Sequence, residues 1–456
     1  MKFDSAEEKR IYMTEQPVEK LVCRLAVPTI LSMLVTSFYN MADTFFVGKL
    51  DTQSTAAVGV VFSLMAIIQA VGFLFGHGSG NYISRQLGAG NIEEAEKMTS
   101  VGFFTSYFAG IVIMVSCIFF INPLAYALGS TPTVHPYTVA YLRIILFGAP
   151  AMTASLVLNN QMRFQGSAFY AMIGIVSGAV INIVLDPILI FACGMGVAGA
   201  ALATTISQYL SFFFLLIMVT KGGNIRISLS NFKPSIHFYQ EIIRGGIPAL
   251  FRQGLASVAT IFLNHAASVY GDAAIAGMSI VSRIMMFANS ALIGFGQGFQ
   301  PVCGFNYGAC KYKRVLDAYW FCVKLSFIVL LGMAVVVYLF APQFVSVFRR
   351  EDLDVIAVGT AALRYSVMAF PLSAWIVMCN MMLQSIGKGV KASIVASARQ
   401  GIFFLPLIVI LPHFFGLAGV EVCQAVSDVC ALTLSIPIGM SVIREMRTAD
   451  SGLGTM

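Results

Sequence analysis

The sequence predicts an all-α integral membrane protein, with twelve transmembrane helices arranged in two six-helix lobes. Three observations support this fold class. Apolar residues make up 58% of the 456 residues and charged residues only 11%, against about 25% charged in soluble proteins. Uncharged runs recur at about the 20 residues that a helix needs to cross a bilayer. The two halves of the chain also resemble each other, since Gly76 and Gly88 of the first half return with the same spacing as Gly296 and Gly308.

Twelve apolar runs are predicted to span the membrane. They cover residues 25–47, 56–83, 98–121, 136–160, 168–192, 197–220, 242–270, 274–302, 316–341, 355–383, 392–411 and 416–441. The long polar stretch between spans 6 and 7 divides them into two sets of six. We therefore expect a leader at 1–24, an N-lobe at 25–220, a linker at 221–241, a C-lobe at 242–443 and a tail at 444–456.

The internal repeat predicts how the two lobes are related. Pro28 and Asn159 of the first half return as Pro248 and Asn380 in the second. Six spans are an even number, so both halves enter the membrane from the same side. The repeat is then parallel, and the lobes are related by a pseudo-twofold axis along the membrane normal. Two similar halves in an apolar chain are typical of alternating-access transporters.

Basic residues predict the orientation. With the N-terminus inside, and with Arg244 at the inner end of span 7 counted with the linker, 19 of the 28 Lys and Arg residues fall on the inner side, among them Arg163 in the loop between spans 4 and 5. The outer side has only three, Lys49, Arg349 and Arg350. This excess predicts that both termini are cytoplasmic. The same rule explains the net charge of +7, and no basic stripe with interleaved aromatics indicates nucleic-acid binding.

No cofactor, disulfide framework or zinc site is predicted. The nine cysteines are scattered and lack both CxxC and metal-ligand spacing, so neither a disulfide framework nor a zinc site is indicated. Lys388 lies between two glycines but lacks the Ser or Thr that a phosphate-binding loop requires after the lysine. The glycines spaced four apart, such as Gly72 and Gly76, instead favour close helix packing in lipid.

Two acidic residues inside the spans are the strongest functional candidates. Asp43 in span 1 and Asp186 in span 5 lie at a similar depth near the outer side of the membrane. Tyr39 is one helical turn before Asp43, and Asn182 is one turn before Asp186, so each pair shares a helix face. Carboxylate and amide oxygens at these positions suit a hard cation or a proton relay. An acid paired with a buried arginine, or one capping a helix end, remains the structural alternative.

Span 12 contains a possible second charge site. Glu421 and Asp428 are seven residues apart and share a helix face. Arg399 in span 11 is placed to neutralise one of them. A structural ion pair and a role in coupling or substrate binding both remain open for these acids.

The chain resembles the multidrug and toxic compound extrusion (MATE) transporter family over nearly its whole length. Within the family it is most similar to the DinF branch and its MepA-like multidrug exporters. The resemblance is carried by motifs that occur in the family's order: Leu25-Ala-Val-Pro28, Tyr39-Asn40-x-x-Asp43, Ala57-Val58-Gly59, the Gly78–Gly90 stretch with Ser84-Arg85, Asn182-x-x-x-Asp186-Pro187, and Gly196-x-x-Gly199 through Thr204. Acidic residues that the NorM-like branch has in spans 7 and 10 are missing here.

The resemblance implies specific roles for N-lobe residues. It implies H⁺ or Na⁺ coupling at Asp43 and Asp186, and both carboxylates are possible ligands of Na⁺. Asn182 and Thr204 would assist this coupling. Three further residues match polar positions of the same lobe in the family: Tyr39, Tyr141 and Asn159.

The resulting expectation is a secondary active antiporter rather than an enzyme. It would work as a monomer in the bacterial plasma membrane and export amphipathic, often cationic, drugs and toxins in exchange for inward H⁺ or Na⁺. A lipid-linked oligosaccharide flippase is the main alternative, kept open by Arg252, Arg283 and Arg399 within the spans. An integral-membrane enzyme would need clustered His, Asp or Cys near one interface, and a channel would not need an acid pair in one lobe only.

Overall fold

The structure, a computed structural model, describes residues 5–348 and 352–453. Within these residues the chain forms helices and no strand. Arg349 and Arg350, which belong to the predicted outer-side count, lie outside the described residues. The α-helices in chain order are α1 Ala6–Glu15, α2 Val18–Val47, α3 Thr52–Ala89, α4 Ile92–Phe119, α5 Ile121–Ala127, α6 His135–Phe164, α7 Ala168–Pro187, α8 Gly196–Val219, α9 Ile236–Ser268, α10 Asp272–Gly308, α11 Tyr312–Leu339, α12 Ala341–Ser346, α13 Leu353–Ala369, α14 Ser373–Ser385, α15 Gly389–Ser397, α16 Phe404–Phe415 and α17 Leu417–Leu453.

The predicted fold class is confirmed. In the described part of the chain, twelve helical segments are long and apolar enough to cross a membrane. Nine are single helices, span 5 continues from α7 into a π-helical turn at Ile188–Ala192, and spans 10 and 11 each join two α-helices. The short helices α5 and α12 begin at Ile121 and Ala341, the same offset as that from Gly76 to Gly296, so the repeat extends into the connections between spans.

Several helices extend beyond the apolar runs that predicted them. Helix α2 begins at Val18, directly after Pro17, and α6 runs on to Phe164 before Gly166 takes a φ of +79°. An apolar run marks only the part of a helix that lies in lipid. The backbone hydrogen bonds continue until a proline or a left-handed residue interrupts them.

Close packing within the N-lobe explains the glycines that are spaced four apart. A Cβ atom at Gly72 would lie 2.7 Å from Leu156, and one at Gly76 would lie 2.9 Å from Asn160. These contacts follow one face of α3 along α6. The predicted packing role of this glycine series is therefore confirmed.

The two lobes are in close contact at one end of the bundle, which we call the terminal face because α1 and the end of α17 lie there. A Cβ at Gly88 on α3 would overlap the carbonyl oxygen of Phe305 on α10. The ion pair between Arg85 and Glu241, with 2.6 Å between Nη2 and Oε2, joins α3 to α9 across the same boundary. These contacts hold the two lobes together at this end.

The leader adds a bridge across the terminal face. Lys9 on α1 donates to Ser167 Oγ at 2.7 Å in the N-lobe. On the other side, the Asn306 amide at the end of α10 donates to the Met13 carbonyl at 3.2 Å. The first helix of the chain therefore holds both lobes in this arrangement.

Candidate functional site

Asp186 is fully buried near the end of α7, where Pro187 leads into the π-helical turn. With its amide oriented to satisfy both neighbours, Asn182 donates through Nδ2 to Asp186 Oδ2 at 3.1 Å. The amide oxygen of Asn182 then accepts from the backbone N–H of Thr204 on α8 at 3.3 Å. Asn182 thereby holds the carboxylate of its own helix next to α8.

Asp43 on α2 faces the same region of the N-lobe. Its negative charge is close enough to interact with that of Asp186. Among the described residues, neither Asp43 Oδ1 nor Asp186 Oδ1 has a hydrogen-bond partner, although both atoms are buried. A buried carboxylate oxygen without a donor is costly. Each of these two oxygens can therefore still take up a proton or coordinate a cation.

Two tyrosines complete this group. The negative charges of both acids act on the hydroxyls of Tyr39 on α2 and Tyr141 on α6, and the Tyr141 hydroxyl lies close to the Thr204 side chain. We call these residues the N-lobe acid cluster: Tyr39, Asp43, Tyr141, Asn182, Asp186 and Thr204. The structure brings together six of the seven positions for which the resemblance implied coupling.

Asn159 is the seventh, and the structure does not place it in the cluster. It follows Tyr141 by 18 residues on α6, which corresponds to about 27 Å along the helix. Its Nδ2 donates instead to the Ala171 carbonyl of α7 at 3.0 Å. Asn380 in the C-lobe makes the equivalent bond to the Ala392 carbonyl at 2.7 Å. This symmetry indicates that both asparagines connect neighbouring helices.

The C-lobe acid Asp428 has an ionic partner. Arg399 donates to both of its carboxylate oxygens, from Nε at 2.6 Å and from Nη2 at 3.2 Å. Arg399 also donates through Nη1 to Asn289 Oδ1 at 3.0 Å. The prediction that Arg399 neutralises one of the two acids is confirmed for Asp428. Glu421, two turns earlier on α17, is also buried.

A central cleft of about 560 Å³ lies between the lobes, within the size range of small-molecule sites. Three members of the N-lobe acid cluster contribute to its wall: Tyr39, Asn182 and Thr204. Much of the remaining surface is apolar and includes Met33 and Phe73. The cluster and the cleft therefore share side chains.

Formal charges in the cleft are all positive. Of the described residues that line it, three are arginines, Arg163, Arg252 and Arg399, and none is acidic. The two cluster acids lie behind the wall and do not face the cleft. The predicted cationic cargo therefore finds no carboxylate among these lining residues.

Arg163 is a functional candidate that sequence reasoning missed. It was expected in a solvated loop, which is wrong because α6 continues to Phe164 and leaves Arg163 only 1% exposed. Its Nη1 donates to the Gln297 carbonyl at 2.9 Å and to Gln300 Oε1 at 3.0 Å, both on α10 of the other lobe. The only signal in the sequence was that its repeat counterpart is the uncharged Gln384.

Comparisons with known proteins agree with this architecture. The MatE family profile matches residues 28–188 and again 248–410, once in each lobe. The multidrug export protein MepA of Staphylococcus saprophyticus is 28% identical over 449 residues, which are 97% of this chain and 98% of that protein. MepA of Staphylococcus haemolyticus is 30% identical over 446 residues, with 97% and 98% covered.

Solved structures show the same agreement. A solved structure described as the outward-facing conformation of a multidrug resistance MATE family transporter superimposes with a TM-score of 0.91. It is 28% identical and covers 96% of this chain and 98% of its own. Because the family profile matches each lobe and this fold is shared over nearly the whole length, the chain belongs to the MatE family of membrane transporters.

Proposed function

We propose that this protein is an antiporter that exports amphipathic small molecules in exchange for inward H⁺ or Na⁺. The observation that carries the proposal is the pair of buried, unsatisfied oxygens on Asp43 and Asp186 beside the central cleft. Ionisable residues placed within a membrane are expensive and usually mark ion pathways. The relatives named multidrug export protein support drug-sized cargo.

The orientation follows from the distribution of basic residues. With both termini in the cytoplasm of a bacterial cell, the terminal face is the cytoplasmic face. The lobes are sealed there by Gly88 against Phe305 and by the Arg85–Glu241 pair. The cleft is then outward-facing, the state from which cargo is released. One chain encloses the whole cleft, which supports a functional monomer.

The N-lobe acid cluster links ion binding to cargo. A proton or Na⁺ that reaches Asp43 and Asp186 removes their mutual repulsion and supplies the partner that each Oδ1 lacks. Asn182 bridges Asp186 to α8, and Tyr39 lies one turn from Asp43 on α2. Neutralising the acids therefore changes contacts among α2, α7 and α8, and those helices form part of the N-lobe wall of the cleft.

The available driving force is sufficient for export. One charge that crosses a membrane potential of 100 mV supplies about 2.3 kcal/mol before any concentration gradient is added. Every increment of about 1.4 kcal/mol supports a tenfold gradient of cargo. For an uncharged cargo, one coupling ion per cycle thus sustains roughly a fortyfold gradient at that potential.

We expect Asp43→Asn and Asp186→Asn each to abolish export that depends on an ion gradient, because an amide can neither take up the proton nor balance Na⁺. Transport of a cationic dye, ethidium, and of an anionic dye, 1-anilinonaphthalene-8-sulfonate, into everted membrane vesicles checks this, each measured with a pH gradient and separately with a Na⁺ gradient. Asp317→Asn is the matched control, since Asp317 is exposed on α11 and belongs to neither the acid cluster nor the cleft lining. Gradient-driven transport that survives in the Asp43 and Asp186 variants would disprove the coupling assignment.

A further inference from the structure

Arg252 is a cationic side chain of the cleft that has no acidic partner among the described residues. It lies in the middle of the 33-residue α9 and is half-buried in the cleft wall. Its hydrogen bond is to a neutral group, from Nη1 to Asn380 Oδ1 at 3.3 Å. One such bond uses little of the donor capacity of a guanidinium, and the residue lines the cleft.

Arg163 adds a second positive charge at the floor of the same cleft. Its guanidinium is held by carbonyl and amide oxygens, and its Nε has no hydrogen-bond partner among the described residues. The charges of Arg163 and Arg252 are close enough to act on each other. Two like charges without a counter-ion raise the energy of the cleft when no anion is present.

The third arginine of the cleft provides an internal comparison. Arg399 is neutralised by a two-point ion pair with Asp428. A guanidinium in the wall of this cleft can therefore be neutralised by a carboxylate of the protein, as that of Arg399 is. The net positive charge at the cleft comes from Arg163 and Arg252.

We infer that the cleft selects amphiphiles that carry an anionic group, such as a carboxylate, sulfonate or phosphate, with Arg252 as its direct ligand. Arg163 supplies additional positive potential from the floor, and apolar residues such as Met33 and Phe73 receive the rest of the molecule. This inference rests on the proposed export function and reverses the cationic cargo expected from the sequence.

The charge of the cargo changes the electrical balance of the cycle. Export of a monovalent cation against one inward H⁺ moves no net charge. Export of a monovalent anion against one inward H⁺ moves the equivalent of two positive charges inward. The membrane potential then contributes twice to anion export, although the acid cluster still carries only one H⁺ per cycle.

Equilibrium binding tests the inference without requiring transport. The probe is 1-anilinonaphthalene-8-sulfonate, titrated into phosphatidylcholine nanodiscs that hold the full chain, with empty nanodiscs subtracted. We expect Arg252→Gln to weaken sulfonate binding about 10- to 100-fold, the value of a charge-assisted hydrogen bond. Arg252→Lys should recover part of it, and Arg283→Gln is the matched control, because Arg283 is exposed and does not line the cleft.

The cation ethidium and a lipid headgroup complete the test. Arg252→Gln should bind ethidium more tightly than the wild type does, because a repelling charge is gone. Short-chain phosphatidic acid, added as a competitor, shows whether a lipid phosphate occupies the same site as the free sulfonate. Equal sulfonate affinity in the wild type and in Arg252→Gln would overturn the inference.

Transport separates this inference from the proposed function. If gradient-driven ethidium transport depends on Asp43 and Asp186 while sulfonate binding ignores Arg252, the antiporter stands and the anionic specificity falls. If the sulfonate binds through Arg252 but no gradient drives any transport, the anion site stands and the antiporter falls.

Discussion

The buried charges of this chain fall into two groups at the scale of single residues. Arg399 and Asp428 balance each other, and Asp428 is only 1% exposed. Asp43 and Asp186 keep an unsatisfied oxygen each. A buried charge with an ionic partner is most simply structural. A buried carboxylate oxygen without a partner instead supports the proposal that a proton or a cation binds to it.

The paired group gives a stability prediction. Arg399→Met leaves Asp428 buried without its counter-ion, and we expect the free energy of unfolding to fall by about 3–5 kcal/mol. The melting temperature of the purified protein in detergent should decrease accordingly. The change removes the charge and keeps much of the side-chain volume, so packing loss is kept small.

Two further variants control this result. Arg399→Met combined with Asp428→Leu should melt close to the wild type, because the pair is removed as a whole. Lys388→Met breaks an exposed pair with Glu445 and should cost less than about 1 kcal/mol. A melting temperature for Arg399→Met no lower than that of Lys388→Met would contradict the ion-pair role.

Helix packing was only partly predictable at the scale of elements. The four-residue spacing of Gly72 and Gly76 indicated close packing, and both indeed contact α6. The partner of Gly88 was not foreseeable, because Phe305 is distant in sequence and belongs to the other lobe. Spacing along one helix reveals a smooth face but not which helix covers it.

The contact at Gly88 predicts a conformational effect. Alanine favours a helix over glycine by about 1 kcal/mol, so Gly88→Ala should be harmless by propensity alone. Its Cβ would nevertheless meet the Phe305 carbonyl, a backbone atom that cannot rotate away. We expect the variant to open the terminal face and expose Cys303, which is 0% exposed on α10. Labelling with a water-soluble maleimide, in a background whose sole cysteine is Cys303, measures this.

Gly332→Ala on α11 is the control, because a Cβ there has nothing within 4 Å. Its labelling rate should match that of the wild type. If Gly88→Ala labels no faster than Gly332→Ala, the terminal face is not held closed by backbone contact between the lobes.

The whole molecule combines a symmetric scaffold with asymmetric chemistry. Both lobes match the same family profile, the first from residue 28 and the second from residue 248. The acid cluster has no acidic counterpart around Asn264 or around residues 404–407. One lobe therefore carries the proposed coupling, and the cleft between the lobes is the proposed cargo site.

Sequence alone predicted the twelve spans and most of the acid cluster, because both depend on local spacing. Tyr39 with Asp43, and Asn182 with Asp186, are each one helical turn apart. The cleft's positive charge depends on tertiary contacts and was missed. Arg163 was expected in a loop. Its carbonyl and amide partners could not be foreseen, because they belong to α10, more than 130 positions away in the chain.

The central claim is that ion and cargo move in opposite directions through one chain, and a reversed gradient tests it most directly. Liposomes holding the protein receive a cargo gradient alone, with no initial difference in pH, Na⁺ or potential, and ion movement is recorded with a pH dye and with ²²Na⁺. We predict that cargo flowing down its gradient drives H⁺ or Na⁺ uphill in the opposite direction, and that Asp43→Asn with Asp186→Asn eliminates this movement. Cargo flow that drives neither ion, or that drives it equally well in the double variant, would contradict the account.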